Sequence, residues 1–567
     1  MLLIILSWIY ILFTSINFGF SFDKMMRLKT RDFSIMAILG LFAVMVLASG
    51  WAIFGRINIE FHCFLLAGNG LIFRNYRKEI ISKYIGFAAD FKQLILPLQI
   101  MLTVISLLIV AQCATAPYVL DNESYYLQTI RWLNEYGFVN GLANLHIFLG
   151  QNSGWHILQS AFSFSFLYQN FNDLSGFCLL LGTVFSIQKL HLYFSNGNIN
   201  FLIIGLFPLA NVFFFRFISA PSPDIAVYVL TFALFFYFIE SFVSIEIADF
   251  NLICILLFFL LYVKVMSIGL LLLPLFLLLK HSKKLLPKLL PIGLIGVLVL
   301  SLAVVKNSII TGYPLFPTSH FRLPFDFAVP ENVVRYYFSE NRLYSFFLTS
   351  REFHSMTMLQ IAMKWLFASK INGFMNGVSI LMLLLIPIFI HRYFNSKAYW
   401  ILYGTIVLEF LILLSTSPVF RFFIHFTLFF GFFIFAVWFN KRKFILESYI
   451  MSTLLIIVVL FIPINFKALT KNERISKNSA FTYSMLVFPH QNSKSVTTYQ
   501  HFEKGNLKYN SPTENSFFWG CGNGALPCVS KHQLEFFEQR LLVYPQLRTT
   551  DIKDGFYAKY KFPDASE

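Results

Sequence analysis

Long apolar runs separated by short polar loops dominate this chain. They fall near 2–20, 33–54, 58–74, 95–117, 174–191, 199–218, 224–242, 249–263, 266–280, 288–305, 374–391, 398–415, 419–438 and 447–465. Runs of this kind suit a hydrocarbon layer about 30 Å thick, which takes roughly 20 apolar residues in a helix. The pattern predicts an all-α polytopic membrane protein with about 14 transmembrane helices. The runs are continuous and do not alternate with polar residues, which excludes a β-barrel. Two more stretches, 155–170 and 355–369, are apolar but carry His156, Gln159 and Gln169, or Gln360, Lys364 and Lys370. Counting either as a span would put later basic loops on the wrong side, so both are expected to lie as helices at the outer surface. The chain shows no internal repeat of the kind that marks inverted transporter halves.

Composition agrees with that class. Of 567 residues, 57% are hydrophobic and 13% charged, against about 25% charged in soluble domains. The 71 phenylalanines suit packing among lipid tails and carry no functional signal. The net charge of +16 is a matter of topology. Its basic residues cluster in short loops: Lys24 to Arg31, Arg74 to Lys83, Lys280 to Lys288, Arg392 with Lys397, and Lys441 to Lys443. That is the positive-inside pattern of cytoplasmic loops, and it leaves no patch for nucleic acid. The segment 118–154, the turns after 218, at Lys264 and at 416–418, the loop 306–354 and the tail 467–567 then share the outer face. Three regions follow: N-terminal membrane helices over 1–94, a membrane core over 95–466 with outer loops 118–173 and 306–373, and a small soluble C-terminal domain over 467–567 with a linker around 467–480. The N-terminal apolar segment has no cationic region before it and no small-residue cleavage site after it, so it reads as a retained helix. Cys63, Cys113, Cys178 and Cys254 lie in apolar runs as packing residues. Cys521 and Cys528 stand in the tail and can form a disulfide if it is exported.

The outer segments hold the polar residues that topology does not need. Asp121 and Glu123 end an apolar run in VLDNESYY, followed by Tyr125, Tyr126 and Arg131, then a Gly/Asn-rich loop with His146. The carboxylates either mark the water line or do chemistry. Aromatic faces with charged groups are what sugar recognition uses. Asp224 in SAPSPDI sits where it could cap the following helix or join Asp121. Lys264 divides an apolar stretch of 30 residues; it either snorkels from a turn or serves a site, the usual meaning of an intramembrane cation. A phosphate would suit it. KNSIITGYPLFPTSHFRLPFD carries Lys306, Tyr313, His320 and Arg322, and STSPVFRFFIH puts Arg421 and His425 about one helical turn apart. Glu409, deeper in the preceding helix, is a possible partner for one of these cations. No P-loop, GxGxxG, HExxH or GxSxG element is present, which argues against ATP-driven transport by this chain alone.

The order of these pieces resembles the GT-C superfamily of integral-membrane glycosyltransferases, which have about a dozen spans and an essential acid in the first large outer loop. It is most similar to a bacterial subgroup of large multi-pass membrane proteins with D-x-E-x-Y-Y and Y-G-x-V-x-G-L-A-N-L-H, here at 121–126 and 136–146. The resemblance covers roughly 95–440. It departs at 417–419, Ser-Pro-Val, where many relatives carry an acid after the proline. The resemblance implies transfer of a sugar from a polyprenyl-phosphate donor to a cell-envelope glycan or lipid on the periplasmic face of the bacterial inner membrane. By that analogy Asp121 is the base and Glu123 orients the base or the acceptor. Tyr125, Tyr126, Arg131, His146 and Tyr313 line the site. Asp224 contacts a metal or the acceptor, and Lys264 and Arg421 meet phosphate. A divalent ion such as Mg or Mn on Asp121 and Asp224 is an open possibility. The expected partners are the lipid-linked sugar, membrane lipids and other envelope-glycan assembly proteins. Two other classes stay open: a polymerase or flippase-like handler of lipid-linked polysaccharide, and a non-catalytic membrane protein.

Overall fold

The structure, a computed structural model, describes the chain except Tyr118, Asn395 and residues 470–476, 495–496, 514–517 and 563–567. The centre of the expected linker around 467–480 therefore lies outside the described residues.

The chain is an α-helical multi-pass membrane protein. Without water in a bilayer, every backbone N–H and C=O must be paired within the protein, and a helix does this locally. Each apolar run is helical. Among the described residues ten helices are long and apolar enough to cross a membrane, or up to eleven if a bent pair counts as one span. The others fall short for visible reasons. Ile247–Val263 and Ile424–Trp438 are shorter apolar helices. Residues 58–74 form the first half of Ile59–Gln93, a 35-residue helix with a non-helical residue at Tyr76 and a charged second half. Beyond Lys264 the chain turns through Val265–Leu271 into Leu272–Lys280; the pair Val265–Lys280 and Ser282–Lys288 is bent by 90°.

The first two helices, Leu2–Met26 and Phe33–Phe54, pack at glycines. A Cβ on Gly19 would lie 2.0 Å from the Met36 carbonyl oxygen, and one on Gly40 would lie 1.8 Å from that of Ser15. Small residues that let two backbones touch are the usual device for joining helices in lipid. The expected surface helix at 155–170 is instead a short buried one, Gly154–Ala161. Its interrupting polar groups have internal places: His156 and Gln159 are fully buried, and the Gln159 side chain accepts the Leu174 amide at 3.2 Å. The stretch 355–369 keeps a surface: Met358–Leu366 leaves Met358, Leu359 and Met363 exposed.

There are two hydrophobic cores. One joins the apolar helices. The other joins the loop after Asp121 (Trp132, Val139, Leu142), the long loop (Tyr313, Val329, Val334) and the tail (Leu507, Val529, Phe537, Phe556). The tail contributes two antiparallel hairpins, Tyr499–Lys504 with Leu507–Pro512 and Val543–Leu547 with Phe556–Tyr560, and the helix Lys531–Leu541. Its apolar side chains share a core with both loops, so the tail docks as part of the loop layer. The Phe556 amide donates to the Asn140 carbonyl at 2.9 Å, and Arg548 forks onto Asp326 at 2.8 and 3.0 Å. The Leu2 amide reaches the Leu486 carbonyl at 2.9 Å, which puts the start of the first helix at the same end as the tail.

Candidate functional site

Four charged side chains from distant segments meet beneath this loop layer. Each is delivered by a break in regular structure. Asp121 stands at the entry to a π-helical turn, Asn122–Tyr126, that leads into the helix Leu127–Glu135. Single π turns inside helices are rare and recur at functional sites. Asp224 lies in the first turn of Pro223–Ser241, where Ser222 is the N-cap and Pro223 opens the helix. It is therefore not the capping residue, and its carboxylate is left for another partner. Lys264 closes the helix Ile247–Val263 in an extended conformation. Arg421 sits in the short helix Phe420–Phe422, because Pro418 prevents the preceding helix from continuing.

The geometry is two ion pairs side by side. Arg421 Nη2 lies 2.7 Å from Asp121 Oδ2, with side-chain exposures of 27% and 23%. Lys264 Nζ lies 2.5 Å from Asp224 Oδ1, with exposures of 22% and 3%. Arg421 is also within electrostatic reach of Asp224, and Lys264 of Asp121. Three members thus remain open to an incoming group while Asp224 is sealed behind them. Lys264 stands 3.8 Å over the Phe422 ring, a cation–π contact. The turn carrying Arg421 is braced from several sides. The Tyr228 hydroxyl donates to the Arg421 carbonyl at 2.6 Å, the Trp365 indole donates to the Pro418 carbonyl at 2.8 Å, and the Ser417 and Ser345 hydroxyls are 2.5 Å apart.

Tyr125 and Tyr126 form a wall. The Tyr126 hydroxyl donates to Asp121 Oδ2 at 3.4 Å, and the two rings meet edge-on at 4.8 Å. Burial above all raises both phenol pKa values, helped by Asp121 at Tyr125 and by Tyr125 and then Asp121 at Tyr126. Two residues join the site that sequence reasoning did not place there. His156 packs on Tyr126 at 4.6 Å. His425, noted only for its spacing from Arg421, packs on Tyr228 at 5.1 Å and lies within electrostatic reach of Lys264 and Asp224. Neither ring has a hydrogen-bond partner among the described residues. A polar residue breaking the apolar run at 155–170 is the one sequence signal for His156.

The remaining expected site residues are engaged elsewhere. Glu123, six per cent exposed, accepts the Ser493 hydroxyl at 2.6 Å and the Lys494 amide at 2.9 Å. Arg131 pairs with Glu135 at 2.7 Å and donates to the Asn523 and Gly524 carbonyls at 3.0 and 3.1 Å. His146 accepts the Phe148 amide at 3.2 Å and faces the Trp519 carbonyl at 3.4 Å. All three meet the tail or the loop layer. Tyr313 is buried in the second core, and its hydroxyl donates to the Val329 carbonyl at 3.0 Å. Glu409 accepts the Gly269 amide at 2.6 Å, just past the break at Lys264. Cys521 and Cys528 are disulfide-bonded.

Asp121 and Asp224 each face a fixed cation. Among the described residues no group of three or more His, Cys, Asp or Glu is arranged to hold a metal ion.

Over residues 1–428 the chain matches the family described as a domain of unknown function, DUF8201. It belongs to that family. All four charged residues fall inside the DUF8201 match, whereas the docked tail lies beyond it. No curated protein and no solved structure matches the chain.

Proposed function

We propose that the protein is a GT-C-like membrane glycosyltransferase of about fourteen spans. It takes a sugar from a polyprenyl-phosphate-linked donor and passes it to a cell-envelope glycan or lipid acceptor at the outer, periplasmic face. The observation that carries this reading is the meeting of Asp121 and Asp224 with Lys264 and Arg421 under one aromatic-walled loop layer. A carboxylate next to cations is what glycosyl transfer from a lipid phosphate requires.

The steps follow from the charges. The donor phosphate competes with Asp121 for Arg421 and draws on Lys264, which releases the Asp121 carboxylate. Asp121 then takes the proton of the acceptor hydroxyl as a general base. The acceptor oxygen bonds to the anomeric carbon as that carbon's bond to the phosphate oxygen breaks, and the electron pair leaves with the lipid phosphate. Lys264 and Arg421 stabilise the charge that develops there. Asp224, buried behind Lys264, fixes the ammonium's position and acts through it. For the lipid tail, an apolar groove of about 540 Å³ lies along Ile371–Phe389 and the end of Met358–Leu366, lined by Leu366, Phe374, Ile380 and Leu384. Trp365, on the same helix as Leu366, ties that groove to the Arg421 turn through Pro418.

The test is transfer from a labelled polyprenyl-phosphate sugar in reconstituted vesicles. Asp121→Asn should insert and fold as the parent does and lose about 10²- to 10⁴-fold in rate. Undiminished transfer by that variant would sink the assignment.

A further inference from the structure

The contacts of the tail beside the candidate site centre on Glu123. The tail's two segments close on Glu123 from both sides of the peptide unit. Ser493 and Lys494 donate to the side-chain carboxylate. The Cys521 and Gly522 amides donate to the Glu123 carbonyl at 2.9 and 2.8 Å. One residue earlier, the Asn122 side chain donates to the Asn492 carbonyl at 2.9 Å, and one turn later Gln128 donates to the Gly522 and Gly524 carbonyls at 2.8 and 2.9 Å. The approach is tight. Gly522 has φ +48, and a Cβ there would lie 2.9 Å from Glu123 Oε2.

These contacts fall on the π turn that begins beside Asp121, in which the Leu127 amide reaches back to the Asn122 carbonyl. A π turn is rare and occurs mostly as a single turn within α-helical surroundings, so contacts that favour it over an α turn matter. Relaxation to α geometry would rotate everything before the turn, Asp121 included, relative to the helix Leu127–Glu135. The tail supplies the holding contacts: two amides on the Glu123 carbonyl, two donors on its carboxylate and a Gln128 tether on the far side. The disulfide between Cys521 and Cys528 closes the loop that presents those amides.

We propose that the tail is a clasp on the π turn, with Glu123 as the positioning residue that fixes the direction of Asp121 toward Arg421. This rests on the transferase reading of the site and adds a part to it: the tail sets the geometry of the base without touching substrate.

The experiment uses the full-length protein in lipid nanodiscs. Gly522→Ala strikes the clasp from the tail side and leaves Glu123 in place, Glu123→Ala strikes it from the other, and Ser493→Ala is a milder variant if either fails to fold. Hydrogen exchange of residues 121–130 is read beside kcat and KM for the lipid-linked donor. In Gly522→Ala the exchange of this segment should rise about tenfold, with residues 223–241 unchanged. Its kcat should fall about tenfold or more with KM within about twofold. Glu123→Gln, which keeps an acceptor oxygen, should recover part of the rate lost in Glu123→Ala. Looser 121–130 with unchanged kcat overturns the positioning role. Loss of kcat in Glu123→Ala while 121–130 stays as protected as in the parent also overturns it, because Glu123 would then act on the chemistry directly. If the parent protein transfers no sugar, the transferase reading fails by itself, and exchange of 121–130 in Gly522→Ala still decides whether the tail clasps the turn: no rise overturns it.

Discussion

Asp224 and Lys264 depend on each other more than on solvent. Asp224 is nearly sealed, and its second carboxylate oxygen has no hydrogen-bond partner among the described residues. Removing one member of a buried pair leaves an uncompensated charge and costs about 3–5 kcal/mol, whereas replacing both with neutral groups is often tolerated. Lys264→Ala should therefore lower the thermal unfolding midpoint in detergent sharply. The double variant Lys264→Met with Asp224→Asn should recover most of that loss while remaining inactive in transfer. A double variant as unstable as the single one would show that the ion pair is not what holds this corner. At this scale the site is largely legible in the sequence. Asp121, Lys264 and Arg421 stand out because charges beside or within apolar runs need a reason. Asp224 is visible too, but its role is not. Its place just after Pro223 suggests a cap, and only the fold shows Ser222 in that position and the carboxylate turned to Lys264.

The loop 142–151 illustrates what a sequence hides at the scale of an element. His146 is buried between the Phe148 amide and the Trp519 carbonyl, and burial lowers its pKa from 6.5 to about 4. In the unfolded chain it binds a proton at higher pH than in the folded one. Docking of this loop against the tail is thus fully present above pH 6.5 and is lost progressively as pH falls toward 4, by about 3 kcal/mol at most. Hydrogen exchange of residues 519–546, corrected for its intrinsic pH dependence, should accelerate between pH 7 and 5, and His146→Phe should remove most of that change. The tail partners of His146, Arg131 and Glu123 lie 370 or more positions along the chain. No local pattern can report such contacts, so polar residues in an outer loop read as substrate ligands. The helices are legible because period and length are local properties, and the exceptions follow suit. The buried helix Gly154–Ala161 passes for a surface one because its polar groups find partners or ring contacts that only the assembled core provides.

For the whole molecule, the second core settles which segments share an end. Residues near 130, 330 and 520 belong to or border one loop-and-tail layer, whereas 285 lies in Ser282–Lys288, the second part of the bent pair, among basic residues. Reporter fusions at 130, 330 and 520 should report one compartment and a fusion at 285 the other. A fusion at 130 on the side of 285 would separate the loop from the tail and dismantle the site. That outcome would also contradict the charge rule from which the basic loops were read as cytoplasmic.

The shared core also orders events in time. The residues that close on Glu123 lie at 493–494 and 521–522, after the last apolar helix, Arg442–Phe461. A nascent chain inserts its helices in sequence and can form the two ion pairs once residue 421 is in place. The contacts that hold the turn beside Asp121 cannot form until residues 493–494 and 521–522 have been made and have docked. Contacts of such long separation form late. Between the emergence of residue 421 and that of residue 522, the four charged groups can therefore be gathered while the turn beside Asp121 still lacks its clasp.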